Sequence, residues 1–354
     1  MDLQALLRLA RDKGASDLHL IVACQPLLRI DGALQRVGEI TLSPEDVTDT
    51  LHQITTTAQR EWYGQEMELD FAYVAPDIGR VRCNACRQQG YTSLSIRLLP
   101  PTVPTVDDLG LPPIYKNLAS TVRGLVVLSG PAGSGKSTSV AAMVNHINHT
   151  QQRYIVTVED PIEYVHPNMR SAISQRQLGD DTLSFPNALR HVLRQDPDVI
   201  VLGEMRDMET AHSVLTLAET GHLVISTGHA PNCAGCVERI VDLFPSHERS
   251  QASARLASVV VAIMCQALVP RIKAGRVAAV EIMLGEPAVK NLIREGKTYL
   301  LPNLIQTSNQ IGMRTLDQSL VELYLKNTIS WEVVTTFCHD PAEVEKLVGQ
   351  ATIR

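Results

Sequence analysis

Gly130-Pro131-Ala132-Gly133-Ser134-Gly135-Lys136-Ser137 decides the fold of this chain. The run fits G-x-x-x-x-G-K-[ST], a loop that binds phosphate. Its glycines let the backbone curl until successive N–H groups face one anion. Lys136 then reaches the β- and γ-phosphates of a nucleoside triphosphate, and the Ser137 hydroxyl suits Mg²⁺. The flanks agree. Leu125-Val126-Val127-Leu128 reads as a buried strand before the loop. Ser137 to His149 reads as a helix after it, with its positive end toward the phosphates. The expected nucleotide contacts are Gly130, Ala132, Gly133, Ser134, Gly135, Lys136, Ser137 and Thr138.

Working outward, apolar strands alternate with helices: Leu125–Ser129, Tyr154–Val158, Val199–Leu202 and Leu223–Ser226. This alternation predicts an α/β fold with a largely parallel sheet and helices on both faces. Ligands then sit at the carboxyl ends of the strands. From about Ser246 the chain reads as mostly helical, with an Ala278–Leu284 strand between. Upstream, residues 1–13 read as an amphipathic helix with Leu3, Leu6, Leu7 and Ala10 on one face and Gly14 as its stop. Strands follow at Asp17–Leu20 and Leu27–Ile30, the latter turning at Asp31-Gly32. Ser43 caps a helix with Pro44 in its first turn. Strand character returns at Leu69–Tyr73, Val81–Ala85 and Ser93–Arg97. The proline-punctuated stretch from Pro100 to Pro113 reads as a linker. The expected plan is a small α+β domain over 1–99, a linker over 100–113, and the phosphate-loop domain over 114–354 with a helical C-terminal region from about 285. No internal repeat or low-complexity tail is visible.

A length of 354 residues fits two or three domains. Apolar content of 44% with 20% charge is that of a soluble globular protein. A net charge of −6 argues against a protein that coats DNA, so no nucleic-acid partner is expected. The N-terminus lacks the basic patch and apolar stretch of a signal peptide. The most apolar segment, Ala257 to Val269, is too short to span a bilayer and carries Ser258 and Gln266. A cytoplasmic protein is the reading. Seven cysteines give no disulfide framework. The pairs Cys83/Cys86 and Cys233/Cys236 could together supply a four-thiolate zinc site. Residues i and i+3 of a strand point to opposite faces, however, so buried reduced thiols are expected instead.

Three further segments fall at strand ends. Glu159-Asp160-Pro161-Ile162-Glu163 places three carboxylates within five residues. Mg²⁺ and a water nucleophile give a reason for them, whereas the plainer reading is a solvated acidic turn. Asp196 to Glu204 is an apolar strand ending in an acid, which a rigid strand can present to Mg²⁺ or its waters. Arg206 and Asp207 follow at once. Glu219-Thr220-Gly221-His222 then precedes a strand that leads to His229. A histidine at each end of that strand can contact a phosphate or a neighbouring acid, although each alone is more often a satisfied polar residue.

In these segments the chain resembles the type IV pilus retraction ATPases (PilT-like), within the wider type II and type IV secretion ATPase superfamily. The resemblance runs nearly end to end. It also takes in Gly14-Ala15-Ser16-Asp17-Leu18-His19-Leu20, Arg80 through Gln88, Gly203-Glu204-Met205-Arg206-Asp207 and Asn291-Leu292-Ile293-Arg294-Glu295. It implies a homo-hexameric ring with a PAS-like N-terminal domain on a RecA-like core. ATP and Mg²⁺ would sit at the domain junction, completed by the neighbouring subunit. Glu163 would orient or deprotonate the attacking water, and Glu204 would act on Mg²⁺ and the γ-phosphate. His222 would contact the nucleotide and His229 the catalytic groups. Arg80, Arg82 and Arg97 are the candidates for neutralising transition-state charge, a role worth about 10³–10⁵ in rate elsewhere; their plainer reading is surface salt bridging. Ala288-Val289-Lys290-Asn291-Leu292 would match the motif tied to retraction.

The implied setting is the cytoplasmic face of the inner membrane, against a pilus platform protein and beside a sister pilus ATPase. Some positions depart from the family pattern. Ala132 stands where Thr is common, Gly228 and Ala230 flank His229 in place of larger residues, and Lys290 replaces an Arg. The alternatives are an assembly or type II secretion ATPase, a non-hydrolysing accessory subunit, and a DNA translocase. A start directly at the short domain favours retraction over assembly. The acidic balance disfavours the translocase.

Overall fold

The computed structural model describes residues 1–30, 32–99 and 102–352, so Asp31 of the expected turn and Pro100 and Pro101 of the expected linker lie outside the described residues. Two compact units form. The first holds Met1–Thr102 with Glu163–Val165, and the second holds Val103–Ile162 and the chain from His166 on.

The first unit runs α1 (Leu3–Asp12), β1 (Asp17–Leu20), β2 (Leu27–Ile30), β3 (Ala33–Arg36), α2 (Pro44–Ile54), α3 (Thr57–Glu66), β4 (Glu68–Ala75), β5 (Gly79–Gln88) and β6 (Tyr91–Leu98). The strands form an antiparallel sheet in the order β3-β2-β1-β6-β5-β4. Asp2 caps α1, which buries Leu3, Leu7 and Ala10, and Gly14 takes the left-handed φ of 64° that stops it. Ser43 and Asp46 close a capping box on α2. Two elements carry no sequence signal. Every residue of β3 is exposed, and α3 buries only Tyr63, so neither shows an apolar period. In β5 the alternation is clear: Val81, Cys83 and Ala85 are buried, while Arg80, Arg82 and Cys86 lie on the other face.

In the second unit, α4 (Ile114–Ala119) precedes β7 (Gly124–Ser129), α5 (Lys136–Thr150), β8 (Tyr154–Glu159), β9 (Ala172–Gln177), α6 (Phe185–Val192), β10 (Val199–Leu202), α7 (Met208–Glu219) and β11 (Leu223–Thr227). Then come α8 (Cys233–Asp242), α9 (Arg249–Val259), β12 (Val260–Pro270), β13 (Arg276–Leu284), α10 (Pro287–Arg294), α11 (Leu301–Thr307), α12 (Leu316–Leu325), α13 (Trp331–Phe337) and α14 (Pro341–Thr352). The sheet order is β13-β12-β7-β11-β10-β8-β9, parallel throughout except for the antiparallel β12–β13 pair. Alternate residues of its central strands feed two cores. Leu125, Val127, Val158 and Ile200 pack with α6 to α11, whereas Val126, Leu128, Ile155 and Val201 pack with α4 and α5.

The helical reading from Ser246 onward is corrected at β12. Val260–Pro270 is a strand between β7 and β13, buried on both faces. A continuous apolar run has no period to separate helix from strand, and α9 leads into it without a break. β9 was also unanticipated, because a polar edge strand carries little apolar pattern.

Candidate active site

Between β7 and α5 the phosphate loop packs against a single residue of β12. A Cβ at Gly130 would lie 2.3 Å from the Gln266 carbonyl oxygen, and one at Gly135 would lie 2.9 Å from Gln266 Nε2. Both glycines also have positive φ, 139° and 86°. The first and last glycines of the loop are therefore fixed by space as well as by conformation. Gly135 is the N-cap of α5 and supplies no side-chain cap, unlike Ser43, Asp207 or Asn232 on their helices. The first-turn N–H groups are thus left for an anion. Lys136 Nζ donates to the carbonyls of Gly130 at 2.7 Å and Pro131 at 2.9 Å, holding the side chain over the loop. Ala132, Gly133 and Ser137 are exposed, and Thr138 is half-buried.

Glu204 follows β10, and His229 follows β11, the strand between β10 and β7. Strand polarity thus brings both to the end of the sheet that carries the phosphate loop. One oxygen of the Glu204 carboxylate pairs with Arg206, and the other lies 3.0 Å from His229 Nε2. Arg206 also approaches Asp160 at 3.7 Å. Burial pushes the Glu204 carboxyl up. The Arg206 hydrogen bond and charge, then those of His229, outweigh it and hold the group below its ordinary range. Arg206 is in turn raised by Glu204. The Thr227 hydroxyl donates to the Gly203 carbonyl and so braces the backbone beneath Glu204. A cavity of about 200 Å³ opens here, lined by Glu204, Arg206, Thr227, His229, Cys236 and Arg239. The Ser137 hydroxyl and the Glu204 carboxylate are hard oxygen donors of the kind Mg²⁺ takes.

The three carboxylates of the acidic segment diverge. Glu159 accepts from Thr157 Oγ1 at 2.6 Å and from Gln175 Nε2 at 3.0 Å. Asp160 is exposed beside Arg206. Glu163 is half-buried, groups with the first unit, and makes no hydrogen bond or ion pair among the described residues.

His222, expected to contact the nucleotide, lies at the other end of β11 from His229. It precedes β11, its Nδ1 lies 3.0 Å from the Leu217 carbonyl, and its own carbonyl accepts from Gly124 N at the start of β7. Five residues of strand, at about 3.3 Å each, put it about 16 Å from the loop end of the sheet.

Arg80, Arg82 and Arg97 share the polar face of the first unit's sheet, where Arg82 and Arg97 are cross-strand partners. Arg97 Nε lies 2.9 Å from Asp17 Oδ1, and Arg82 lies 3.9 Å from Asp70. Both make the salt bridges of their plainer reading. Cys83 is buried in this unit, and Cys233, Cys236 and Cys265 are buried in the other. Among the described residues, no group of three or more His, Cys, Asp or Glu side chains could hold a metal ion. Sequence reasoning assigned no role to Arg206, Thr227 or Gln266. Only Gln266 carried a usable signal, as a lone amide inside the most apolar stretch of the chain.

Residues 2–332 match the family described as type II/IV secretion system protein. The chain belongs to this family. The type IV pilus retraction ATPase PilT of Pseudomonas aeruginosa is 42% identical over 332 residues, covering 94% of this chain and 96% of that protein. The type IV pilus ATPase PilU of the same organism is 39% identical over 333 residues, covering 94% and 87%. A crystal structure of the pilus retraction motor PilT with bound ADP matches with a TM-score of 0.92 at 38% identity, covering 98% of this chain and 99% of that one. The expected fold class is thus the observed one: a secretion ATPase core with a smaller α+β unit. No helix among the described residues is long and apolar enough to cross a membrane.

Proposed function

We propose that this chain is the subunit of a ring ATPase that hydrolyses ATP to drive type IV pilus retraction. One observation carries the reading. In a chain that matches PilT nearly end to end, an uncapped phosphate loop and a paired, ionised Glu204 lie at the same end of one sheet. The protein is an ATP hydrolase of the PilT kind.

The residues divide the labour as follows. Loop N–H groups and Lys136 bind the phosphates, and Ser137 with Glu204 would hold Mg²⁺, which when bound neutralises charge across the β- and γ-phosphates. His229 and Arg206 orient the Glu204 carboxylate from opposite oxygens. Glu163 orients or deprotonates the attacking water. One or more of Arg80, Arg82 and Arg97 neutralise the charge that develops on the transferred group. Copies of the chain assemble as a hexamer at the cytoplasmic face of the inner membrane, engage the pilus platform protein and work beside a sister ATPase.

A second reading, a pilus ATPase other than the retraction motor, is favoured by the nearly equal identity to PilU. The first test is steady-state phosphate release from the purified chain beside Lys136→Ala and Glu204→Ala, with particle mass followed against concentration. Turnover that needs Mg²⁺, rises with ring formation and vanishes in both variants is the expected result. An assembled ring that binds nucleotide without releasing phosphate overturns the motor reading. Restoration of twitching in cells lacking their own retraction ATPase separates the two readings.

A further inference from the structure

Gln266 sits on β12, a strand that carries no part of the nucleotide motif, yet it touches the phosphate loop at three points. Its side chain is buried at 4% exposure. Nε2 donates to the Ser134 carbonyl at 2.7 Å, and Oε1 accepts from the Ser139 hydroxyl at 2.9 Å and, at 3.5 Å, from the Tyr115 hydroxyl. The orientation of the amide is fixed by chemistry. A carbonyl only accepts, so nitrogen must face Ser134, and oxygen is left for the two hydroxyls. The Gln266 backbone carbonyl fills the space beside Gly130, and its amide nitrogen fills the space beside Gly135. One residue therefore meets the first glycine, the last glycine and the carbonyl between them, and ties all three to the first turn of α5 through Ser139.

The Ser134 contact is the informative one. In a loop that presents N–H groups to an anion, every carbonyl must point away from it and find a partner elsewhere. The Ser134 carbonyl finds that partner in Gln266, while the carbonyls of Gly130 and Pro131 are taken by Lys136. Binding of phosphate draws the lysine toward the anion. The Gln266 amide lies behind the loop, so its bond persists. We propose that Gln266 is a positioning residue for nucleotide binding, turning the Ser134 peptide so that the loop's N–H groups face the phosphates. This rests on the nucleotide-site reading given above.

Gln266→Glu is the decisive variant. It keeps the size and the acceptor for Ser139 and Tyr115, but it sets a carboxylate oxygen against the Ser134 carbonyl. Mg·ADP binding to the full-length chain is measured by calorimetry, with folding confirmed by circular dichroism and a thermal melt. The expected result is a variant that is folded at the measuring temperature and binds Mg·ADP about tenfold more weakly or worse, the loss of one buried hydrogen bond being about 1.4 kcal/mol. Ser139→Ala, which removes one hydroxyl from the acceptor side, is expected to weaken binding less. A lowered melting point with unchanged Mg·ADP affinity assigns Gln266 to the core alone and overturns the proposal. If Gln266→Glu does not fold, Ser139→Ala decides: weaker binding supports the proposal and unchanged affinity overturns it. Failure of the unaltered chain to bind Mg·ADP removes the nucleotide reading itself, and the proposal with it.

Discussion

Replacing Glu204 by Gln separates what this carboxylate does for chemistry from what it does for the fold. The substitution preserves shape and leaves a carbonyl oxygen for Arg206 or His229, but it removes the charge. Arg206 is 58% exposed and His229 48%, against 17% for Glu204, so the pairs are open to water on one side. Exposed ion pairs contribute about 0–1 kcal/mol, and the loss should stay within that range. In a unit of this size that corresponds to a melting point lowered by at most about 4 °C. The effect on turnover is expected to be far larger. Loss of one positioned group that stabilises transition-state charge, here through Mg²⁺, costs about 10²–10³-fold, or about 2.7–4 kcal/mol on the barrier. Phosphate release at saturating Mg·ATP, Mg·ADP binding and a thermal melt on one preparation give all three quantities. Turnover within about threefold of the unaltered chain, with binding intact, would refute the role given to Glu204. A melting point lowered by more than about 8 °C would show that the Arg206–Glu204–His229 cluster is structural first.

Acid pH should probe the same cluster. The Glu204 carboxyl is held below its ordinary range, so its contribution to stability is complete above the unfolded value of about 4.3 and is lost as pH falls through the folded value. Urea melts of the unaltered chain should therefore lose more stability as pH falls from about 5 to about 3 than those of Glu204→Gln, and equal losses would contradict the pairing. Thiol titration should divide the seven cysteines. Burial pushes the Cys83 thiol up to about 12, and it raises Cys233 and Cys236 as well. These three and buried Cys265 should react with an aromatic disulfide only after denaturation, whereas half-buried Cys24, Cys86 and Cys338 should react in the native chain. Ser43→Ala removes one side of the α2 capping box and should lower the first unit's stability by about 1 kcal/mol, read from its denaturant midpoint with phosphate release unchanged.

The phosphate loop and its neighbouring strands were legible because each is written locally. Glycine spacing, an apolar run of strand length and the ends of Val199–Leu202 and Leu223–Thr227 are properties of short windows. What escaped was set by pairing across the chain. β12 is a strand because β7 and β13 flank it, which no window around Ala262 reports. His222 and His229 look equivalent in sequence, yet strand direction alone puts one beside Glu204 and the other beside Leu217. The three carboxylates from Glu159 to Glu163 read as one cluster, but the chain turns enough for Thr157 and Gln175 to take Glu159 while Asp160 meets Arg206. Gln266 could only be flagged as an amide in an oily stretch, because its partners lie 127 and 132 residues away.

Ten of the fifteen residues of α5 are buried, and β7 is buried along its whole length. Amides in such elements exchange with solvent only when the unit as a whole opens. The candidate phosphate loop is therefore mounted on elements expected to exchange slowly, a fixed frame against which displacement during turnover can be measured. A probe placed along Val140–Ile147 should stay silent through the nucleotide cycle, and it would serve as the internal reference for labels placed elsewhere.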